Sequence, residues 1–156
     1  MRRKKKENRN LTPDPIYDSL LVARLTNRLM FSGKKSTAQK VLWSALDEIK
    51  KVKKSDNPVL ALEQAIKNIT PAVEIRPRRI GGATYQVPRE VPADRGFALA
   101  ARWLIAAARA KKGKPMSKKL AEEILLAVKN EGAAIKKKLD THRMAEANRA
   151  FAHFAW

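Results

Sequence analysis

Between Leu20 and Ile69 the apolar residues recur at helical spacing in three separate runs. In the first, Leu21, Leu25 and Leu29 with Val22 and Met30 form one stripe, while Arg24, Asn27 and Arg28 lie elsewhere on the wheel, and Gly33 is expected to end the helix. A second helix is expected from Ser36 or Thr37, because Ser36 and Gln39 have the spacing of a capping box. Its buried stripe is Ala38, Val41, Leu42, Ala45, Leu46, Ile49 and Val52, and Lys50, Lys51, Lys53 and Lys54 suit the negative end of its dipole. Asn57-Pro58 then offers a cap and a first-turn proline to a third helix, with Val59, Leu62, Ile66 and Ile69 on its stripe and a stop before Pro71.

The period changes at residue 73. In VEIRPRRIGGATYQVPREV, Val73, Ile75 and Pro77 alternate with polar residues, as do Tyr85 and Val87, and Gly81-Gly82 stands between the two runs. This is a β-hairpin pattern. Parity favours a three-residue loop, Ile80-Gly81-Gly82, which pairs Pro77 with Tyr85 and Ile75 with Val87 and puts Arg76 and Arg78 on the other face with Thr84 and Gln86. Pro77 and Pro88 do not suit a central strand, so the hairpin is expected to stand free, with its ladder exposed.

After Pro92 the helical period returns, with Phe97, Ala100, Ala101, Leu104 and Ala108 on one face and Arg95, Arg102 and Arg109 in a row on another. KKGKP at 111–115 breaks that helix, Ser117 is a candidate cap for a fifth, and its stripe is Ala121, Ile124, Leu125 and Val128. Gly132 precedes a last helical segment, in which Lys138, His142 and Arg149 would fall within about 40° of one another on an ideal helix. The expected fold is mainly α: a bundle of about six helices, one protruding hairpin over about residues 73–89, and a basic arm over residues 1–12, in a single domain over residues 1–156.

Composition narrows the chemistry. The chain of 156 residues carries 34 Lys and Arg against 15 Asp and Glu, a formal charge of +19, yet 44% of it is hydrophobic, which is a folding composition. There is no cysteine, so disulfides, thiolate metal sites and cysteine nucleophiles are excluded. His142 and His153 lack metal-ligand spacing, and no metal or other cofactor is expected. The most apolar stretch, Phe97 to Ala110, is interrupted by Arg102 and Arg109 and is shorter than a membrane span, so no membrane association is expected. MRRKKKENRN has no apolar region behind it and is not a secretory signal, although it leaves an organelle-targeting role open.

No catalytic grouping emerges. Gly81-Gly82 and Gly33-Lys34-Lys35 lack the surrounding glycines of phosphate-binding loops, and the adjacent acids Asp47-Glu48 and Glu122-Glu123 are expected to balance nearby lysines. The basic residues are segregated instead: six in the arm against Glu7, Arg76, Arg78 and Arg79 in the hairpin, and six from Arg109 to Lys119 with no acid among them. Segregated Lys and Arg favour a polyanion, and arginine adds forked contacts to phosphate. Tyr85 could stack on an unpaired base, but its parity favours packing against Pro77; Trp43, Phe97 and Trp103 read as core, and Phe151, Phe154 and Trp156 as either a docking patch or terminal packing. A flexible arm, a hairpin and basic loops suit folded RNA better than the major groove of DNA. A free DNA-compacting or regulatory helical protein is the alternative from another class; it explains the charge but not the motifs that follow.

GKKSTAQ at 33–39, RRIGGATYQVP at 78–88, RWL at 102–104, GKPM at 113–116 and HRMAEANRAFAH at 142–153 together resemble the bacterial-type seventh protein family of the small ribosomal subunit, in order and over nearly the whole chain. The resemblance implies a non-enzymatic, structural constituent of the ribosome that binds small-subunit ribosomal RNA, nucleates assembly of the head and works in translation. It implies a cytoplasmic location within the ribosome, bacterial or organellar. It also brings the hairpin and carboxy-terminal helix near the exit-site tRNA and the mRNA path, beside neighbouring small-subunit proteins that include the eleventh.

Carried over by position, the resemblance implies ribosomal-RNA contacts at Arg2, Arg3, Lys4, Lys5, Lys6, Lys34, Lys35, Arg76, Arg78, Arg79, Arg95, Arg102, Lys111, Lys112 and Lys114. It puts Gly81, Gly82, Thr84, Tyr85, Arg143, Asn148 and Arg149 where tRNA approaches. One departure stands out: this chain reads Pro92-Ala93-Asp94-Arg95-Gly96 where family members usually carry paired basic residues before the fourth helix.

Overall fold

The computed structural model describes residues 11–53 and 57–154; the basic arm through Asn10, Lys54 and Trp156 lie outside them. Six α-helices form in chain order: α1 Leu20–Leu29, α2 Lys35–Lys53, α3 Pro58–Ile69, α4 Ala93–Ala110, α5 Met116–Val128 and α6 Ala133–Ala147. Strands β1 Val73–Ile80 and β2 Ala83–Glu90 make an antiparallel hairpin between α3 and α4, and a short 3₁₀ helix, Arg149–Phe154, follows α6.

The stripes become one core. Leu25, Leu42, Leu46, Ile49, Leu62, Ile69, Leu104, Leu120 and Ile124 are all fully buried in a cluster drawn from α1 to α5, which Ala134 and Ile135 of α6 join. Each such side chain taken from water contributes roughly 1.5–3 kcal/mol, so this cluster dominates the stability of the helical body. Asn57 caps α3 as expected, its Oδ1 accepting from the Val59 N–H at 3.1 Å with Pro58 in the first turn. Two other caps differ. α2 begins at Lys35, so Ser36 lies inside the helix, and α5 begins at Met116 behind Pro115, so Ser117 does not cap it. In both places a preceding bend sets the start: the glycine turn at Gly33 before α2 and Pro115 before α5. Val52, placed on the α2 stripe by periodicity, is exposed in the last turn of α2.

The hairpin register also differs from the parity argument. Ile80 pairs with Ala83 across a two-residue Gly81-Gly82 turn, so Arg78 faces Tyr85, Arg76 faces Val87 and Ile75 faces Pro88. Both glycines have positive φ, 57° and 89°, the requirement of the tight turn that matches strand twist, and two glycines meet it without strain. The argument from apolar parity fails because the body-facing side is not simply apolar. That face carries buried Glu74 and Val87 and half-buried Arg78 and Tyr85. Nor does the hairpin stand free: this face lies against α6 and the 3₁₀ helix, and only the opposite face and the two outer edges remain open.

Candidate RNA interface

Glu74 roots the hairpin. Its side chain is 8% exposed; Oε1 accepts from Arg76 Nε at 2.8 Å and lies 2.7 Å from Arg76 Nη2, and Oε2 accepts from Arg95 Nε of α4 at 3.0 Å. Burial pushes its carboxyl up, but the hydrogen bonds and charges of Arg95 and Arg76 outweigh that and hold it below the ordinary glutamate value. The tip is clasped by aromatics: the Tyr85 ring lies 5.2 Å from Phe151 and 5.5 Å from Phe154. Tyr85 therefore packs on the carboxy-terminal segment, not on Pro77, which sits on the opposite face. Of the two readings of Phe151 and Phe154, packing is the one observed.

α6 does not carry a basic row. Lys138 donates to the Asn68 carbonyl at 2.6 Å, and His142 Nε2 accepts from the Ala72 N–H at 3.2 Å, so both side chains hold the α3–β1 junction. Burial, then the charge of Lys138, depresses the His142 pKa and favours the neutral ring this bond needs. Arg149 lies beyond the end of α6 on the 3₁₀ helix, after Asn148, whose Nδ2 donates to the Met144 carbonyl at 2.8 Å. The predicted alignment of Lys138, His142 and Arg149 is thereby broken.

The three arginines of α4 also part. Arg95 turns to Glu74, whereas Arg102 and Arg109 join Arg28 of α1 around an open hollow of about 580 Å³. Among the described residues no carboxylate lines that hollow, and Arg28 and Arg102 make no ion pair with any of them. Arg28 is absent from the sequence-predicted contacts; its position off the apolar stripe of α1 was the available signal. Lys34 and Lys35, in the adjoining turn and first turn of α2, are exposed. So are Arg79, Gly81, Gly82 and Thr84 at the outer end of the hairpin, Lys112 in the α4–α5 link, and Arg143 and Arg149 at the carboxy-terminal end.

Besides Arg76 and Arg95, two further predicted contacts are engaged within the protein. Lys111 Nζ lies 2.8 Å from Oε2 of fully buried Glu123, which makes no hydrogen bond through that oxygen and so receives Lys111 as a charge. Glu123 Oε1 accepts from the Ala134 N–H at 3.1 Å at the start of α6, and Gly132 passes so close that a Cβ there would come within 2.8 Å of the same oxygen. Lys114 pairs with Glu122, and this hydrogen bond holds the Glu122 carboxyl below its ordinary value. Glu48 pairs with Lys51, so three of the four adjacent acids balance lysines as expected, whereas Asp47 accepts from the Tyr17 hydroxyl at 3.4 Å. Among the described residues no group of His, Asp and Glu could hold a metal ion, and no helix is long and apolar enough to cross a membrane.

A family model described as Ribosomal protein S7p/S5e matches residues 1–149. The chain belongs to that family. Relatives named small ribosomal subunit protein uS7 match over the full length of both chains: that of Thermotoga neapolitana is 58% identical, that of Thermosipho melanesiensis 59% and that of Petrotoga mobilis 53%. The S7p/S5e family is structural and non-enzymatic, so the chain is a constituent of the ribosome, of its small subunit, and takes part in translation.

Proposed function

We propose that this chain is a primary binder of small-subunit ribosomal RNA that nucleates assembly of the head, gripping several RNA helices at separated basic points. The observation that carries the reading is the hollow where Arg28, Arg102 and Arg109 converge with no carboxylate among the described residues. Guanidiniums held at the end of a packed helix pair meet phosphate with little reorganisation, and each contact releases counterions. Lys34, Lys35 and Arg79 add exposed cations to this binding, and the basic run Arg2 to Lys6, outside the described residues, adds charge; Arg76, Arg95, Lys111 and Lys114 contribute field and positioning through their carboxylate partners.

The hairpin tip around Gly81 to Tyr85, with Arg143, Asn148 and Arg149, forms the side turned to the exit-site tRNA and the mRNA path, next to neighbouring small-subunit proteins including the eleventh. The Tyr85–Phe151–Phe154 clasp supports this by joining tip and carboxy terminus into one surface. The test is binding to a transcript of the small-subunit head RNA across a salt series. Replacing Arg28 and Arg102 with Ala should reduce the salt slope by about 1.4, at about 0.7 for each contact on single-strand-like sites. An unchanged slope would remove the hollow from the contact surface.

A further inference from the structure

The turn between α1 and α2 leaves an aromatic ring outside the core. Phe31 is 75% exposed, the most exposed large apolar side chain among the described residues, although Leu29 two positions before it is buried. Its backbone is nonetheless fixed. The Lys34 N–H donates to the Phe31 carbonyl at 3.1 Å across Ser32 and Gly33, whose φ values of 50° and 75° are both in the left-handed region. Serine enters that region only against steric resistance, so the turn holds Phe31 and Lys34 at its two ends in a defined arrangement.

Phe31 lines a hollow of about 180 Å³ with Val41 and Met116, bordered by Lys34 and Arg109. Arg109 also lines the arginine hollow beside Arg28 and Arg102, so the two recesses meet at this residue. Its guanidinium is steered by donating to the Leu29 carbonyl at 3.4 Å. Among the described residues no carboxylate lines either recess. An apolar slot walled by an exposed ring accepts a flat, weakly hydrated group, and the cations beside it accept an anion attached to that group. A base joined to its phosphate has both parts in that order, and a peptide side chain has only the first.

We propose that the two recesses hold one unpaired RNA nucleotide, its base stacked on Phe31 and its phosphate at Arg109; this rests on the RNA-binding function above. Stacking tolerates any base and releases no counterion, whereas the phosphate contact does. The two parts therefore leave different marks on the same salt series. With the head-RNA transcript as probe, Phe31→Ala should weaken binding ~10-fold at every salt concentration with an unchanged slope. Phe31→Trp should bind like the parent, with its indole emission quenched by the RNA, and Phe31→Leu should lose most of the affinity that Phe31→Ala loses. Arg109→Gln should lower the slope by about 0.7. Because Phe31 is exposed, none of its variants disturbs the core, and matched circular dichroism melts verify this. Parent binding with full affinity in Phe31→Ala overturns the stacking site, and full affinity in Phe31→Leu overturns it too, because apolar bulk without a ring would then suffice. Failure of the parent to bind the transcript removes the RNA-binding function itself.

Discussion

The helical body and the hairpin each turn on a buried glutamate, yet the two are built differently around it. In the body, Glu123 is fully buried inside a cluster of leucines and isoleucines, tying the α4–α5 link through Lys111 to the first turn of α6 through Ala134. At the hairpin, Glu74 is tied to Arg76 and Arg95 over little apolar support, and the other end of the hairpin is held by one tyrosine against two phenylalanines. Breaking a charge inside a packed core exposes the whole core to the loss, whereas breaking one at the root of a two-stranded extension releases the extension. On this geometry the body should unfold as one unit and the hairpin should open separately.

Paired variants break or sharpen this contrast. Glu123→Ala leaves Lys111 without its charge partner and the Ala134 N–H unsatisfied, so it should cost about 3–5 kcal/mol and lower the thermal midpoint by about 10 °C in a calorimetric scan. Leu104→Ala should cost about 2–5 kcal/mol by cavity formation in the same cluster, read by urea denaturation. Glu74→Gln should lower the midpoint by no more than a few degrees while speeding amide exchange in Val73–Glu90 relative to α3 and α5. Equal protection loss in both regions would show that the hairpin shares the body's cooperativity. Tyr85→Ala should have the smallest effect, roughly 0.5–1.5 kcal/mol, seen as loss of fixed ring resonances for Phe151 and Phe154.

Acid should act on the hairpin root by the same logic. The folded pKa values of His142 and Glu74 are both depressed, so each group stabilises the fold above its unfolded value and loses that contribution as pH falls through its folded value. Hairpin amides should therefore begin to exchange faster below the ordinary imidazole value of 6.5, and faster again below the ordinary glutamate value of 4.5. A hairpin equally protected at pH 7 and pH 4 would contradict the root as described.

The same contrast governs what the sequence discloses. Leu42, Leu46, Ile49, Leu62 and Ile124 are legible because a helix buries one face of a fixed period, and the body has a single interior for that face to meet. The hairpin has no interior of its own, so apolar parity said nothing reliable about register, and Glu74 on the inward face belongs to a partner twenty-one residues away. The site was legible as a set of cationic segments but not as a geometry. Arg95, Lys111 and Lys114 look like exposed cations until the fold brings their carboxylates near, and Arg28 becomes part of a cluster only when α1 packs beside α4.

The open edges of the hairpin bear on how copies of this chain meet one another. A two-stranded sheet offers an unpaired edge on each side, which invites a second copy to extend the ladder. Here each strand carries a proline, Pro77 on one and Pro88 on the other, and neither has an N–H to contribute to such a ladder. Arg79 and Arg89 add like charge along those strands. Two copies of the chain therefore lack the N–H groups and the charge balance that edge-to-edge zipping along this hairpin would need.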